Sequence, residues 1–290
     1  MNWRLGLLRD LSASFFQPGK RRMTNTNYPN SKIQRLTTKL AFGHRVSIYT
    51  HRKANMLDES LELMDRMIAA AIGINRPNWS IDLGTDTGFT AFTLGRISNS
   101  VIVSDTTEPI LRQAKRLGQE RQIANLHVSQ NTTEALPFVD ESIDLVSSKV
   151  SAHDFKSFKK ALEETNRVLK HGGSLVMANA IAPEQDDIAR WMNTMKLRRD
   201  CSHTKNRKIS TISKVLTEIG LRVIDHGCKR IYLRFNEWTS DTNVSSEEIE
   251  SLRRAFLNAP NTIRETFQVA PVHGDITFSW PCWVFRAIKQ

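Results

Sequence analysis

The 290 residues carry 41 Lys and Arg against 30 Asp and Glu, a formal charge of +11, and are 40% hydrophobic. That is enough apolar material for one large core or two small ones and excludes a disordered chain, while no stretch approaches the ~18 uninterrupted apolar residues of a membrane-spanning helix. Cys201, Cys228 and Cys282 lie far apart with no C-x-x-C pair, which excludes a disulfide framework or a zinc ribbon and points to a reducing compartment.

The charge is uneven along the chain. Residues 1–53 hold eleven basic residues and one acid, Asp10, leaving a nearly neutral body. A protein whose folded face tracks a phosphate backbone needs its Lys and Arg on regular elements, so nucleic-acid binding ranks last among the readings, kept by the basic arm and a weaker basic stretch from Arg190 to Arg234. Residues 1–30 read as a basic arm without apolar periodicity. Its composition overlaps with mitochondrial transit peptides, and a frayed extension ahead of a domain starting near Met23 is an equal reading; otherwise the chain is expected to be cytoplasmic.

The body, residues 31–290, reads as one domain in three parts: a helical segment (31–75), a core (76–180) and a closing region (181–290). From Asn55, Leu57, Leu61, Met64, Ile68 and Ala71 recur at helical spacing. A buried strand is predicted at 79–83, a tight turn at Gly84–Gly88, a helix at 89–96, a strand at 101–104, a helix from Glu108 to about Arg121 and a strand at 126–129. A fourth strand follows at 143–148. The next helix begins at Phe155, carries Phe158, Leu162, Thr165 and Leu169 on one face, and stops at His171-Gly172-Gly173 before a strand at 174–178. Beyond 180 come helices at 186–199 and 209–219, a strand at 221–225, an inserted helical region at 235–267 and a last strand at 276–287, where Pro281 favours an edge or a bulge. The alternation predicts an α/β fold, doubly wound, with a mostly parallel sheet and helices on both faces.

In such sheets ligands bind beyond the carboxyl ends of the strands, which directs attention to the loops after the first four. The first, Asp82-Leu83-Gly84-Thr85-Asp86-Thr87-Gly88, is not the G-x-G-x-x-G dinucleotide fingerprint, because positions 86 and 89 are Asp and Phe; NAD is disfavoured. Asp105, at the end of the second strand, is placed to accept hydrogen bonds from two ribose hydroxyls, and equally to cap the next helix.

With these loops in place, the chain resembles the class I S-adenosylmethionine-dependent methyltransferases, and among them the small-molecule enzymes related to the ubiquinone/menaquinone-biosynthesis C-methyltransferases, from about residue 40 to 288. Ile81–Gly88 is similar to that family's D-L-G-x-G-x-G loop and Val103–Leu111 to its ribose loop and following helix. Thr133–Phe138, Ser142–Ser147 and Arg167–Gly173 follow in the family's order, and Arg199–His203, Phe235–Trp238 and Arg264–Phe267 resemble the substrate side of one subset. The resemblance implies a seven-stranded Rossmann-like sheet with a C-terminal helical insertion, S-adenosylmethionine as cofactor, no metal, and methyl transfer to a small, partly apolar molecule.

It further implies a cofactor site of Tyr49, Asp82, Gly84, Thr85, Asp86, Gly88, Asp105, Thr106, Thr132, Thr133 and Lys149, with Tyr49 and His51 closing over it. His153, just past the fourth strand, is the first candidate base or orienting group; His203, with Asp200 to hold its tautomer, is the second. Trp191, Met192, Met195 and Trp238 read either as pocket wall or as core. Two positions depart from the family pattern. Its central loop glycine is Asp86, and the acid it places near the adenine amino group is Thr132. They motivate an alternative reading, a methyltransferase-fold protein that binds, assists or catalyses a non-transfer reaction such as a cyclisation.

Overall fold

The computed structural model describes residues 59–72, 75–86, 88–149, 151, 155–240 and 242–290. The basic arm, Tyr49, His51, Thr87 and His153 lie outside the described residues. In chain order the elements are α1 (Glu59–Ala71), β1 (Trp79–Leu83), α2 (Phe89–Ile97), β2 (Ser100–Asp105), α3 (Glu108–Glu120), β3 (Leu126–Gln130) and β4 (Ile143–Lys149). There follow α4 (Phe158–Val168), β5 (Leu169–Ala180), α5 (Asp186–Arg199), α6 (Ile209–Glu218) and β6 (Leu221–Arg234). The chain closes with α7 (Phe235–Thr239), α8 (Ser246–Leu257), α9 (Asn261–Phe267), β7 (Ala270–Val272) and β8 (Asp275–Lys289).

The sheet order is β3-β2-β1-β4-β5-β8-β6, parallel from β3 to β5 and antiparallel on either side of β8; the short β7 pairs only with β8. The order reverses between β1 and β4, the switch point at which such sheets open a crevice. Alternate residues of the strands feed two cores. Ile81, Val146, Leu175, Met177 and Phe285 meet α4 and α6 on one face. Val101, Val103, Leu145, Val176 and Val284 meet α1, α2 and α3 on the other. The amphipathic spacing of α1 explains its position, since Leu63, Met64, Met67 and Ile68 are all buried.

Four differences from the sequence reading have physical causes. Leu169, expected on a helix face, begins β5: the register with β4 shifts between Ile143 and Leu145, and the shift absorbs residues 170–173, with Gly172 in the left-handed region at φ 74°. β6 continues to Arg234 because it is the outer strand of the sheet, so exposed polar residues such as Asp225 and His226 are compatible with pairing along β8. His273 and Gly274, with φ of 45° and 78°, make a tight turn that adds the β7–β8 hairpin, one strand more than the seven expected. Pro281 lies in the interior strand β8, neither at the sheet edge nor at a shift in register, opposite Arg230. It is tolerated because β5 has ended its pairing at Ala180–Cys282, so no ladder donor is needed there, and the Pro281 carbonyl accepts from the Ile181 N–H at 2.9 Å.

Beyond the sheet, α5, α7, α8 and α9 enclose an aromatic cluster with the outer part of β8. Trp191 stacks on Phe267 at 5.4 Å, and Trp238 meets Phe278 edge to face at 5.4 Å. Met192, Met195 and Trp238 are buried in this cluster. These residues are core, which removes the reading of them as pocket wall.

Candidate cofactor and active site

The loops at the carboxyl ends of β1 to β4 are built on small polar side chains. Asp82, the last but one residue of β1, is turned inward, and both its carboxylate oxygens are engaged: Thr85 Oγ1 donates to one at 2.7 Å and Ser147 Oγ of β4 to the other at 2.6 Å. Its role is therefore to hold the loop, with Thr85 as the strut. The Gly84 and Thr85 N–H groups both donate to the Ser104 carbonyl of β2, at 2.9 and 3.1 Å, and the Gly88 N–H returns to the Thr85 carbonyl at 2.9 Å. The turn closes because Gly84, Asp86 and Gly88 are all left-handed, at φ 63°, 49° and 85°. Asp is one of the few non-glycine residues that tolerates this conformation, so the departure at 86 leaves the loop shape possible.

Gly84 is needed for a second reason. A Cβ there would stand 2.6 Å from the Ser151 Cβ, and Ser151 itself reaches back to the Leu83 carbonyl at 3.3 Å and to Ser148 Oγ at 2.8 Å. Gly84→Val should therefore destabilise the fold by about 2–4 kcal/mol, from overpacking plus left-handed strain. Denaturant unfolding checks this, and a variant as stable as wild type would contradict the close approach.

Asp105 ends β2 beside this loop. Its Oδ1 accepts from the Thr107 N–H at 2.9 Å, and the Asp86 N–H donates to its carboxylate as well. Burial raises its pKa to about 6, the Asp86 carboxylate adds to the rise, and the two backbone donors oppose it. Thr106 is exposed, and its carbonyl accepts from Gln130 Nε2 at 3.0 Å. Thr132 and Thr133 are half-buried after β3, with Thr132 bridged to Ala135. The loop beyond them is clamped by Arg167 of α4, which donates to the Leu136 and Phe138 carbonyls at 2.9 and 2.8 Å while pairing with Glu164. Lys149, half-buried, closes β4 opposite Ala178. Asp82, Gly84, Thr85, Asp86, Gly88, Asp105, Thr106, Thr132, Thr133 and Lys149 thus share one edge of the sheet.

His203 lies further along, where α5 returns to the end of β5. Asn193 Nδ2 donates to the Ala189 and Asn206 carbonyls at 3.0 and 3.2 Å, which aims Asn193 Oδ1 at His203 Nε2, 3.3 Å away, and places the imidazole proton on Nε2. Burial, then Lys196, pushes the His203 pKa down to about 3, with Arg199 and Arg207 adding and Asp200 opposing. The imidazole is neutral at physiological pH. Asp200 Oδ1 accepts from the Ser202 N–H and Oγ at 3.0 and 2.6 Å, and its charge opposes the fall in the His203 pKa.

Sequence reasoning missed Ser147, Ser151, Thr107 and Asn193 as site supports. A small hydroxyl or amide carries no spacing signal, and Ser147 and Ser151 act through contacts 65 and 68 residues away, on Asp82 and the Leu83 carbonyl. Among the described residues no group of three or more His, Cys, Asp or Glu is placed to hold a metal, and no helix is long and apolar enough to cross a membrane.

Comparison with known proteins agrees with this geometry. A methyltransferase-domain profile matches residues 81–177. The uncharacterized methyltransferase YcgJ of Bacillus subtilis (strain 168) is 24% identical over 232 residues, 80% of this chain and 90% of that protein. The ubiquinone/menaquinone biosynthesis C-methyltransferase UbiE of Marinomonas sp. (strain MWYL1) is 27% identical over 128 residues, 43% of this chain and 51% of the relative. A crystal structure from Bacillus halodurans C-125, provisionally assigned as a methyltransferase, superposes with a TM-score of 0.74 at 26% identity, covering 78% of this chain and 98% of that one.

Proposed function

We propose that this chain, which matches a methyltransferase-domain profile over residues 81–177, binds S-adenosylmethionine and transfers its methyl group to a small, partly apolar molecule. The observation that carries the reading is the pairing of the left-handed loop at Gly84–Gly88 with the half-buried Asp105 carboxylate, side by side at the switch point of the sheet. The donor set fits the group. Asp105 keeps acceptor capacity for the ribose hydroxyls, the Thr132 and Thr133 hydroxyls are suited to the adenine edge, and Asp86 is suited to the methionyl ammonium.

When bound, the cofactor supplies a methyl group already activated on a sulfonium. The work left to the protein is alignment of the acceptor, with a base only where the acceptor must lose a proton. In this reading His153 is that base or orienting group. His203, neutral and with Nε2 directed to Asn193, serves as an orienting group rather than as a strong base. Tyr49 covers the cofactor and Lys149 borders it.

Isothermal calorimetry with S-adenosylmethionine and with its demethylated product, S-adenosylhomocysteine, tests the proposal. Saturable one-to-one binding of both is expected, and absence of binding by either ligand would leave the fold without the activity.

A further inference from the structure

Along the carboxyl edge the sheet runs β2, β1, β4, β5, so the residues described so far occupy only part of the crevice. β5 lies two strand spacings, about 10 Å, from β1, on the side away from Asp105. The β4–β5 register ends at Lys149 with Ala178, and Asn179 is the first residue of β5 beyond it. By alternation Asn179 shares a sheet face with Leu175, Met177 and Ile181, and its ladder partner is Trp283 of β8. Phe155 and Trp283 belong to the same apolar cluster as Met177 and Ile181.

Asn179 is an anomaly in that position. It is 4% exposed, and neither its Oδ1 nor its Nδ2 has a hydrogen-bond partner. Asn206 adds a third orphan atom at the same end of β5: its Nδ2 donates to the carbonyl of Ala180, the next residue of β5, at 2.7 Å, while its Oδ1 is unpartnered and buried. Buried polar groups are nearly always bonded, and an amide left bare destabilises the folded state unless something outside the chain completes it. The unmet capacity at the end of β5 is two acceptors, Asn179 Oδ1 and Asn206 Oδ1, and one donor group, Asn179 Nδ2. A primary carboxamide offers the complement, two N–H donors and one carbonyl. A carboxylate would meet two oxygens and one donor, and is disfavoured.

We propose that Asn179, with Asn206, is a recognition site for the methyl acceptor, and that the acceptor carries a primary carboxamide. This rests on the proposed methyltransferase activity, since it takes the crevice beyond β4 as the acceptor's side.

The test uses full-length protein with 15N-labelled asparagine, saturated with S-adenosylhomocysteine, and benzamide as the probe. The Asn179 side-chain amide resonance, assigned by its loss in Asn179→Leu, is expected to shift on benzamide titration and to stay unmoved by toluene, which lacks both the N–H donors and the carbonyl. Asn179→Leu should keep S-adenosylhomocysteine affinity within about twofold and weaken benzamide binding at least tenfold; Asn179→Ser takes its place if the Leu variant does not fold. An Asn179 resonance unmoved by benzamide, an equal response to toluene, or undiminished benzamide binding by the variant would overturn the site. Failure of wild type to bind S-adenosylhomocysteine would instead strike at the methyltransferase reading itself.

Discussion

Asp105→Ala is expected to lower cofactor affinity by about 1–3 kcal/mol, because it removes the acceptor of hydrogen bonds to a charged group in a half-buried site. Asp105→Asn separates binding from stability. In the free protein the Asp105 pKa is raised from 3.8 to about 6 by burial first and then by the Asp86 charge, against the Thr107 backbone bond, which lowers it. The folded state therefore holds that proton more tightly than the unfolded chain. Its contribution to stability is full below pH 4, falls as pH rises from about 4 to 6, and stays lost above. The Asn variant avoids the buried charge but accepts the backbone bonds more weakly, so at pH 7 it should be more stable by about 1–2 kcal/mol, a rise in Tm of ~2–4 °C. Calorimetry should then show weak cofactor binding by a protein that melts higher than wild type.

The same carboxyl group gives the pH dependence of binding its sign. Only the ionised form accepts from both ribose hydroxyls, so affinity should be flat above about pH 7 and fall towards tenfold per unit below 6. Binding near pH 6 should release a proton, which repeated calorimetry in buffers of different ionisation enthalpy reads directly. An affinity independent of pH between 5 and 7 would place the ribose elsewhere.

How much of this was legible in the sequence depended on whether the signal was local. Asp82 to Gly88 announces a βα turn because two glycines punctuate a buried strand and a helix, and both are left-handed in the structure. The helices at α1 and α3 follow from apolar spacing alone. The end of β6 did not, because an outer strand has no buried alternation to display; its exposed stretch from Ile224 to His226 reads as a loop until β8 is known to lie beside it. The Asp82–Ser147 bond, the Asn193–His203 contact and the bare amide of Asn179 are products of chain crossing, and no spacing rule encodes them. The aromatic residues of the closing region were ambiguous for the opposite reason: core and pocket wall demand the same side chains, and only burial separates them.

Asp86 is where sequence and structure together make the sharpest demand. It stands in the left-handed conformation that the family's glycine adopts without strain, and its carboxylate acts on Asp105 across the loop. Asp86→Gly keeps the backbone shape and removes one negative charge. S-adenosylmethionine carries a net positive charge, from its sulfonium and ammonium groups against one carboxylate, whereas S-adenosylhomocysteine is neutral overall. A second carboxylate in the crevice therefore favours the methyl donor over its product, and by Coulomb's law at an effective dielectric near 20 and ~8–10 Å the preference is about 1–2 kcal/mol. Wild type should prefer the donor, and Asp86→Gly should lose most of that preference. The Asp105 pKa should fall at the same time, because one of the effects raising it is gone. Raising the ionic strength to about 1 M should narrow the gap between wild type and variant, since screening acts on a charge at the mouth of a crevice. Affinity gained for both ligands in the variant would show that Asp86 instead repels the methionyl carboxylate, and an unchanged ratio would show that it does not face the transferring charge.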